Sequence, residues 1–69
     1  MNIKEKFGIR VRTLRTIRGW SQMELGFRAD VNRNYISDTE RGQRNVSLKI
    51  IERLAKALEV EIDELFEFC

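Results

Sequence analysis

Within the run Arg33-Asn34-Tyr35-Ile36-Ser37-Asp38, every residue but Ile36 carries hydrogen-bonding groups suited to the edges of nucleic-acid bases. Arginine offers two donors to guanine O6 and N7, asparagine pairs with adenine N6 and N7, and aspartate can accept from a cytosine amine. A tyrosine such as Tyr35 can touch a thymine methyl or donate to a phosphate. Catalytic chemistry is poorly served by comparison. The chain has no histidine, a single cysteine (Cys69, its last residue) and no glycine-rich phosphate loop. Asp63 and Glu64 are adjacent on a helical reading, so they point apart and form a solvated face. Cys69 has no partner for an internal disulfide and reads as an incidental exposed thiol. Zinc is excluded for want of nitrogen and sulfur donors. No metal, cofactor or small-molecule ligand is expected.

Residues that read bases must stand on an element that fits a groove, and the hydrophobic spacing supplies helices throughout. From Lys4 to Arg18, Phe7, Val11, Leu14 and Ile17 recur at helical intervals, with Gly19 following as a C-terminal cap. Ser21-Gln22-Met23-Glu24 reads as a capping box that starts a short second helix through about Arg28, burying Leu25. Asn32 caps a third helix that runs to Arg41, with Gly42 at its end. Ser47 caps a fourth, whose apolar stripe is Leu48, Ile51, Leu54, Ala55 and Leu58. A short last helix is expected over about Ile62 to Phe68. No strand is predicted, because alternating stretches are too short and hairpin turns are missing.

Between Gln22 and Arg41, two short helices are joined by a turn of about three residues, Asp30-Val31-Asn32. Gly26 and Ala29 keep the crossing close, and Asp30 is among the few non-glycine residues that tolerate positive φ. Val31 and Ile36 are placed to plug the core beneath the corner. This is the spacing of a helix-turn-helix. The run Leu14-Arg15, then Gly19 to Leu25, then Tyr35 to Gly42, resembles the Cro/C1-type (Xre) helix-turn-helix family. Arg33 to Ser37, with Glu40 to Ser47, is similar in particular to the controller proteins of restriction–modification systems, as is the ending Leu58-Glu59-Val60…Leu65-Phe66. The sequence departs from the family pattern at Gly26 (usually alanine), Asp30 (usually glycine) and Glu61 (usually a serine or threonine cap).

The resemblance implies an all-α, five-helix bundle, a lambda-repressor-like DNA-binding domain, whose second motif helix enters the major groove. Arg33, Asn34, Tyr35, Ser37 and Asp38 are then the base-reading residues, Asp38 either accepting from cytosine or orienting Arg33. Gln22, at the first turn of its helix, would meet a phosphate through free amides and the helix dipole. Arg44, Asn45, Val46 and Ser47 are further phosphate contacts that resemble the family's second clamp; Arg41, Arg28 and Lys49 are weaker ones. By the same resemblance Arg15 and Glu40 form a structural ion pair beneath the motif. Trp20 is read as packing at the edge of the core.

The chain is 69 residues long, 42% hydrophobic and 35% charged, which suits one soluble domain. A core of that size leaves no room for an enclosed pocket. Net charge is +2, but residues 1–56 hold all 13 bases against 6 acids, while residues 57–69 hold 5 acids and no base. A basic body favours phosphate and an acidic tail avoids it. Ile62, Leu65, Phe66 and Phe68 give that tail more apolar surface than capping a small core requires, so residues 60–69 are expected to contribute to a homodimer, as in related proteins. With no secretory signal or membrane-length apolar run, a cytoplasmic bacterial or phage-encoded protein, on the nucleoid when bound, is expected. The expected function is sequence-specific transcriptional regulation on palindromic double-stranded DNA, with a phage-type repressor or an antitoxin-like interaction module as alternatives.

Overall fold

The structure, a computed structural model, describes residues 1–68; the reading of Cys69 lies outside the described residues. Four α-helices follow one another: α1 (Ile3–Ile17), α2 (Gln22–Ala29), α3 (Arg33–Glu40) and α4 (Leu48–Leu58). A closing 3-10 helix spans Ile62–Phe66, where the sequence suggested a short last helix to about Phe68. Five residues close only about one and a half 3-10 turns, too few to sustain an α-helical hydrogen-bond ladder.

Each α-helix starts on a side chain that accepts from an otherwise orphaned amide. Asn2 and Glu5 form a reciprocal capping box on α1, at 2.9 and 3.0 Å. Ser21 accepts from the Glu24 amide at 3.0 Å, but the expected return bond is replaced by an ion pair between the Glu24 carboxylate and Arg28 at 2.7 Å. Asn32 caps α3 and Ser47 caps α4. The turn between α2 and α3 passes through Asp30 at φ 57°, the left-handed conformation anticipated for it. Arg53 donates to the Asp30 carbonyl at 3.4 Å and ties the turn to α4.

Phe7, Val11, Leu25, Ala29, Ile36, Leu54, Ala55, Leu58 and Leu65 are the core, with Leu14, Trp20, Val31, Val46, Ile50 and Ile51 packed around them. Two members of the expected stripes lie outside it: Ile17 and Leu48 are 74% and 85% exposed. Each occupies a terminal position of its helix, beyond the partner it was expected to meet. Leu65 corrects a further expectation. It is fully buried, packed beneath α1 and α4, and so forms part of the chain's own core instead of a partner-facing surface. Ile62, Phe66 and Phe68 remain partly exposed around it. Among the described residues, no helix is long and apolar enough to cross a membrane.

Candidate nucleic-acid interface

α3 is held by its apolar side and leaves its polar side free. Ile36 is fully buried, whereas Arg33 and Asn34 at the start of the helix are exposed. Among the described residues neither side chain is engaged in an intramolecular hydrogen bond, so both keep their full donor capacity for a ligand. Two close approaches set the helix in place. A Cβ on Gly26 of α2 would stand 2.6 Å from the Val31 carbonyl oxygen, and one on Gly8 of α1 would stand 2.3 Å from that of Thr39. Backbone occupies the space a larger residue would need, so as placed here α1 meets α3 over Gly8 and α2 meets the turn before α3 over Gly26. The role of Gly26 was legible from the motif. That of Gly8 was not, because its partner lies on an element distant in sequence.

Beneath α3 lies the Arg15–Glu40 pair. Arg15 Nε donates to Glu40 Oε2 at 2.6 Å and Nη2 to Oε1 at 2.9 Å, with side chains 11% and 3% exposed. The hydrogen bond to Glu40, opposed by burial, raises the Arg15 pKa further above its already high ordinary value. Arg15 Nη1 also donates to the Trp20 carbonyl at 2.7 Å. Gln22 Nε2 donates to Glu40 Oε1 at 3.1 Å, so the Gln22 side chain is oriented from inside the protein, while the phosphate contact expected at this helix start is one of its free amides. Trp20 sits at the core edge, with the guanidinium groups of Arg28 and Arg18 at 4.2 and 5.3 Å from its ring centre.

The C-terminal end of α3 and the following loop carry a second cluster. Asp38 accepts from Arg41 Nη2 at 2.6 Å and from Arg44 Nη2 at 3.0 Å, each through a different carboxylate oxygen. It therefore orients Arg41 and Arg44, not Arg33 as one reading of the sequence suggested. The hydrogen bond from Arg44 is the chief reason that the Asp38 carboxyl is held below the usual carboxylate range, with the charges of both arginines adding to it. The Arg44 guanidinium lies 4.1 Å over the Tyr35 ring. The Tyr35 hydroxyl oxygen accepts from the Ser47 amide at 3.4 Å, which leaves its own proton available to a phosphate. Asn45 is exposed in the same loop; the Val46 side chain packs on the core, so only its backbone can serve an anion. Ser37 is half-buried on α3. The helix start, the loop and the base of α4 thus present Arg33, Asn34, Tyr35, Arg41, Arg44 and Ser47 as a run of donors.

A helix-turn-helix family model matches residues 11–65. Control protein C.BamHI of Bacillus amyloliquefaciens is 48% identical over 68 residues, 97% of this chain and 84% of that protein. Control protein C.SmaI of Serratia marcescens is 40% identical over 65 residues, 94% of this chain and 77% of that protein. The crystal structure of the restriction-modification controller protein C.AhdI from Aeromonas hydrophila superposes with a TM-score of 0.90 at 52% identity, covering 91% of this chain and 96% of that one.

Proposed function

This chain belongs to the helix-turn-helix family, and from that premise we propose that it is a DNA-binding transcriptional regulator of the restriction–modification controller kind, acting as a homodimer on palindromic operators. The observation that carries the reading is the exposed, uncommitted pair Arg33 and Asn34 at the start of α3, over a fully buried Ile36. Arg33 reads guanine and Asn34 adenine, with Tyr35, Ser37 and Asp38 lining the same helix. Arg41, Arg44, Asn45, Val46 and Ser47, together with the Gln22 end of α2, set affinity and register on the phosphates. The work is binding, not catalysis, and its setting is the cytoplasm, with the protein on the nucleoid when bound. An interaction module of the antitoxin sort would present an apolar surface where α3 presents Arg33 and Asn34.

Selection of bound fragments from random duplex DNA tests the proposal. The expected result is a palindromic consensus with a guanine and an adenine at conserved positions in each half. Retention of no duplex above background would overturn it.

A further inference from the structure

Among the described residues of α3, Asp38 is the acid that lies beside the exposed arginines Arg41 and Arg44, where a phosphate backbone would approach. An acid there repels DNA, so its position calls for a physical account. Each of its two oxygens already accepts from an arginine, one at 2.6 Å from Arg41 and the other at 3.0 Å from Arg44, so the carboxylate is tied to its neighbours on both sides. Each guanidinium gives up one N–H to the carboxylate and keeps others for an outside acceptor. The Arg44 plane is fixed a second time by stacking 4.1 Å over Tyr35, whose hydroxyl is itself held by the Ser47 amide. Two long, flexible cations from an exposed loop and a helix end are thereby held at a set separation, with one of their two charges neutralised.

We propose that Asp38 is a positioning residue that holds Arg41 and Arg44 as a paired phosphate clamp, restraining their attraction to arbitrary DNA while fixing them for a correctly seated backbone. This rests on the DNA-binding reading above. Free arginines would each find a phosphate on any duplex, releasing counterions wherever they land, and that raises non-specific affinity most. Clamped arginines make those contacts only when α3 is in register. Asp38 consequently favours discrimination over raw affinity, acting through its neighbours and not through a base.

The test measures dissociation constants against salt concentration for the selected operator duplex and for a scrambled duplex of equal length and composition. Asp38→Asn should bind the scrambled duplex about 5–10-fold tighter at low salt, with the salt slope steeper by about 1–2. The operator-to-scrambled ratio should fall about tenfold. Asp38→Glu should restore most of that ratio, and in an Arg41→Gln/Arg44→Gln background Asp38→Asn should leave it unchanged. Should Asp38→Asn fail to fold, Asp38→Ser serves in its place. Uniform weakening on both duplexes at an unchanged slope would mean a merely structural role and overturn the proposal. So would a loss of preference confined to one base pair, the mark of direct readout by Asp38. Failure of the parent protein to select any duplex is a separate outcome, which removes the DNA-binding reading and the clamp with it.

Discussion

Glu40 does the most among single side chains, because one carboxylate holds α1, α2 and α3 together. It accepts two hydrogen bonds from Arg15 and one from Gln22 while only 3% of its side chain is exposed. Removing it leaves the Arg15 guanidinium nearly buried and without its counter-charge, a loss that for such pairs costs about 3–5 kcal/mol. Glu40→Ala should therefore lower the melting temperature sharply and weaken DNA binding only through loss of folded protein. Lost binding at unchanged melting would show that Glu40 serves the interface instead. Arg33→Ala should do the opposite. Its side chain is exposed, so the fold survives, and discrimination at one position of each half-site drops by about 1–3 kcal/mol. Equal affinity of mutant and parent for every duplex tested would remove Arg33 from the readout. The pairing of Asp38 also has a definite pH sense. Its carboxyl is more acidic in the folded chain than unfolded, so its contribution is present at neutral pH. That contribution is lost as pH falls through the folded-state value. A carboxyl-carbon NMR titration should place Asp38 below the ordinary aspartate range, and return it there in the Arg41→Gln/Arg44→Gln protein.

The helices themselves were largely legible, and for local reasons. Caps at Ser21, Asn32 and Ser47, the glycines after α1 and α3, and the left-handed Asp30 are written in neighbouring residues. The capping box at Asn2 and Glu5 was equally local, an asparagine three residues before a glutamate, though the reading began the helix at Lys4. Ile17 and Leu48 were misplaced because periodicity marks a face without saying where the covering partner ends. Within the candidate site, the exposure of Arg33 and Asn34 followed from the motif, whereas the Asp38 clamp and the Gln22–Glu40 bond depend on rotamers that spacing does not fix. Gly8 belongs to the same class. Alanine is ordinarily better than glycine inside a helix by about 1 kcal/mol. Here the added methyl would meet the Thr39 and Glu40 carbonyl oxygens at 2.3 and 2.8 Å, and backbone must move to admit it. Strain should win over propensity: Gly8→Ala should destabilise by about 1–3 kcal/mol in chemical denaturation. A stabilised mutant would show that α1 and α3 have room the structure does not give them.

An eight-residue recognition helix is only ~12 Å long, enough for a few base pairs at ~3.4 Å each, so one copy cannot select a site from a genome. The molecule measures 28 × 22 × 22 Å, a size that lets two abutting copies set their α3 helices ~34 Å apart, one turn of the duplex. The acidic tail is the candidate contact, and its charge is partly met within the chain. Arg10 donates to the Glu64 carbonyl at 2.8 Å and lies 3.8 Å from Glu67, while Arg18 pairs with Glu59 at 3.2 Å. With the tail so pinned, Ile62, Phe66 and Phe68 stay 50%, 40% and 36% exposed, and a second copy would cover them. Leu65 separates folding from association, since it is wholly enclosed by its own chain. Leu65→Ala should cost about 2–5 kcal/mol of stability, whatever it does to assembly. Ile62→Lys with Phe68→Lys should instead leave melting near that of the parent at low concentration, yield a monomer in sedimentation at micromolar protein, and weaken binding to a palindromic duplex far more than to a half-site. Phe66 is the poorer choice for that test because its ring packs 5.2 Å from Phe7, so replacing it would disturb the core as well. A parent protein that sediments as a monomer and occupies its operator one copy at a time would assign the tail to the fold alone.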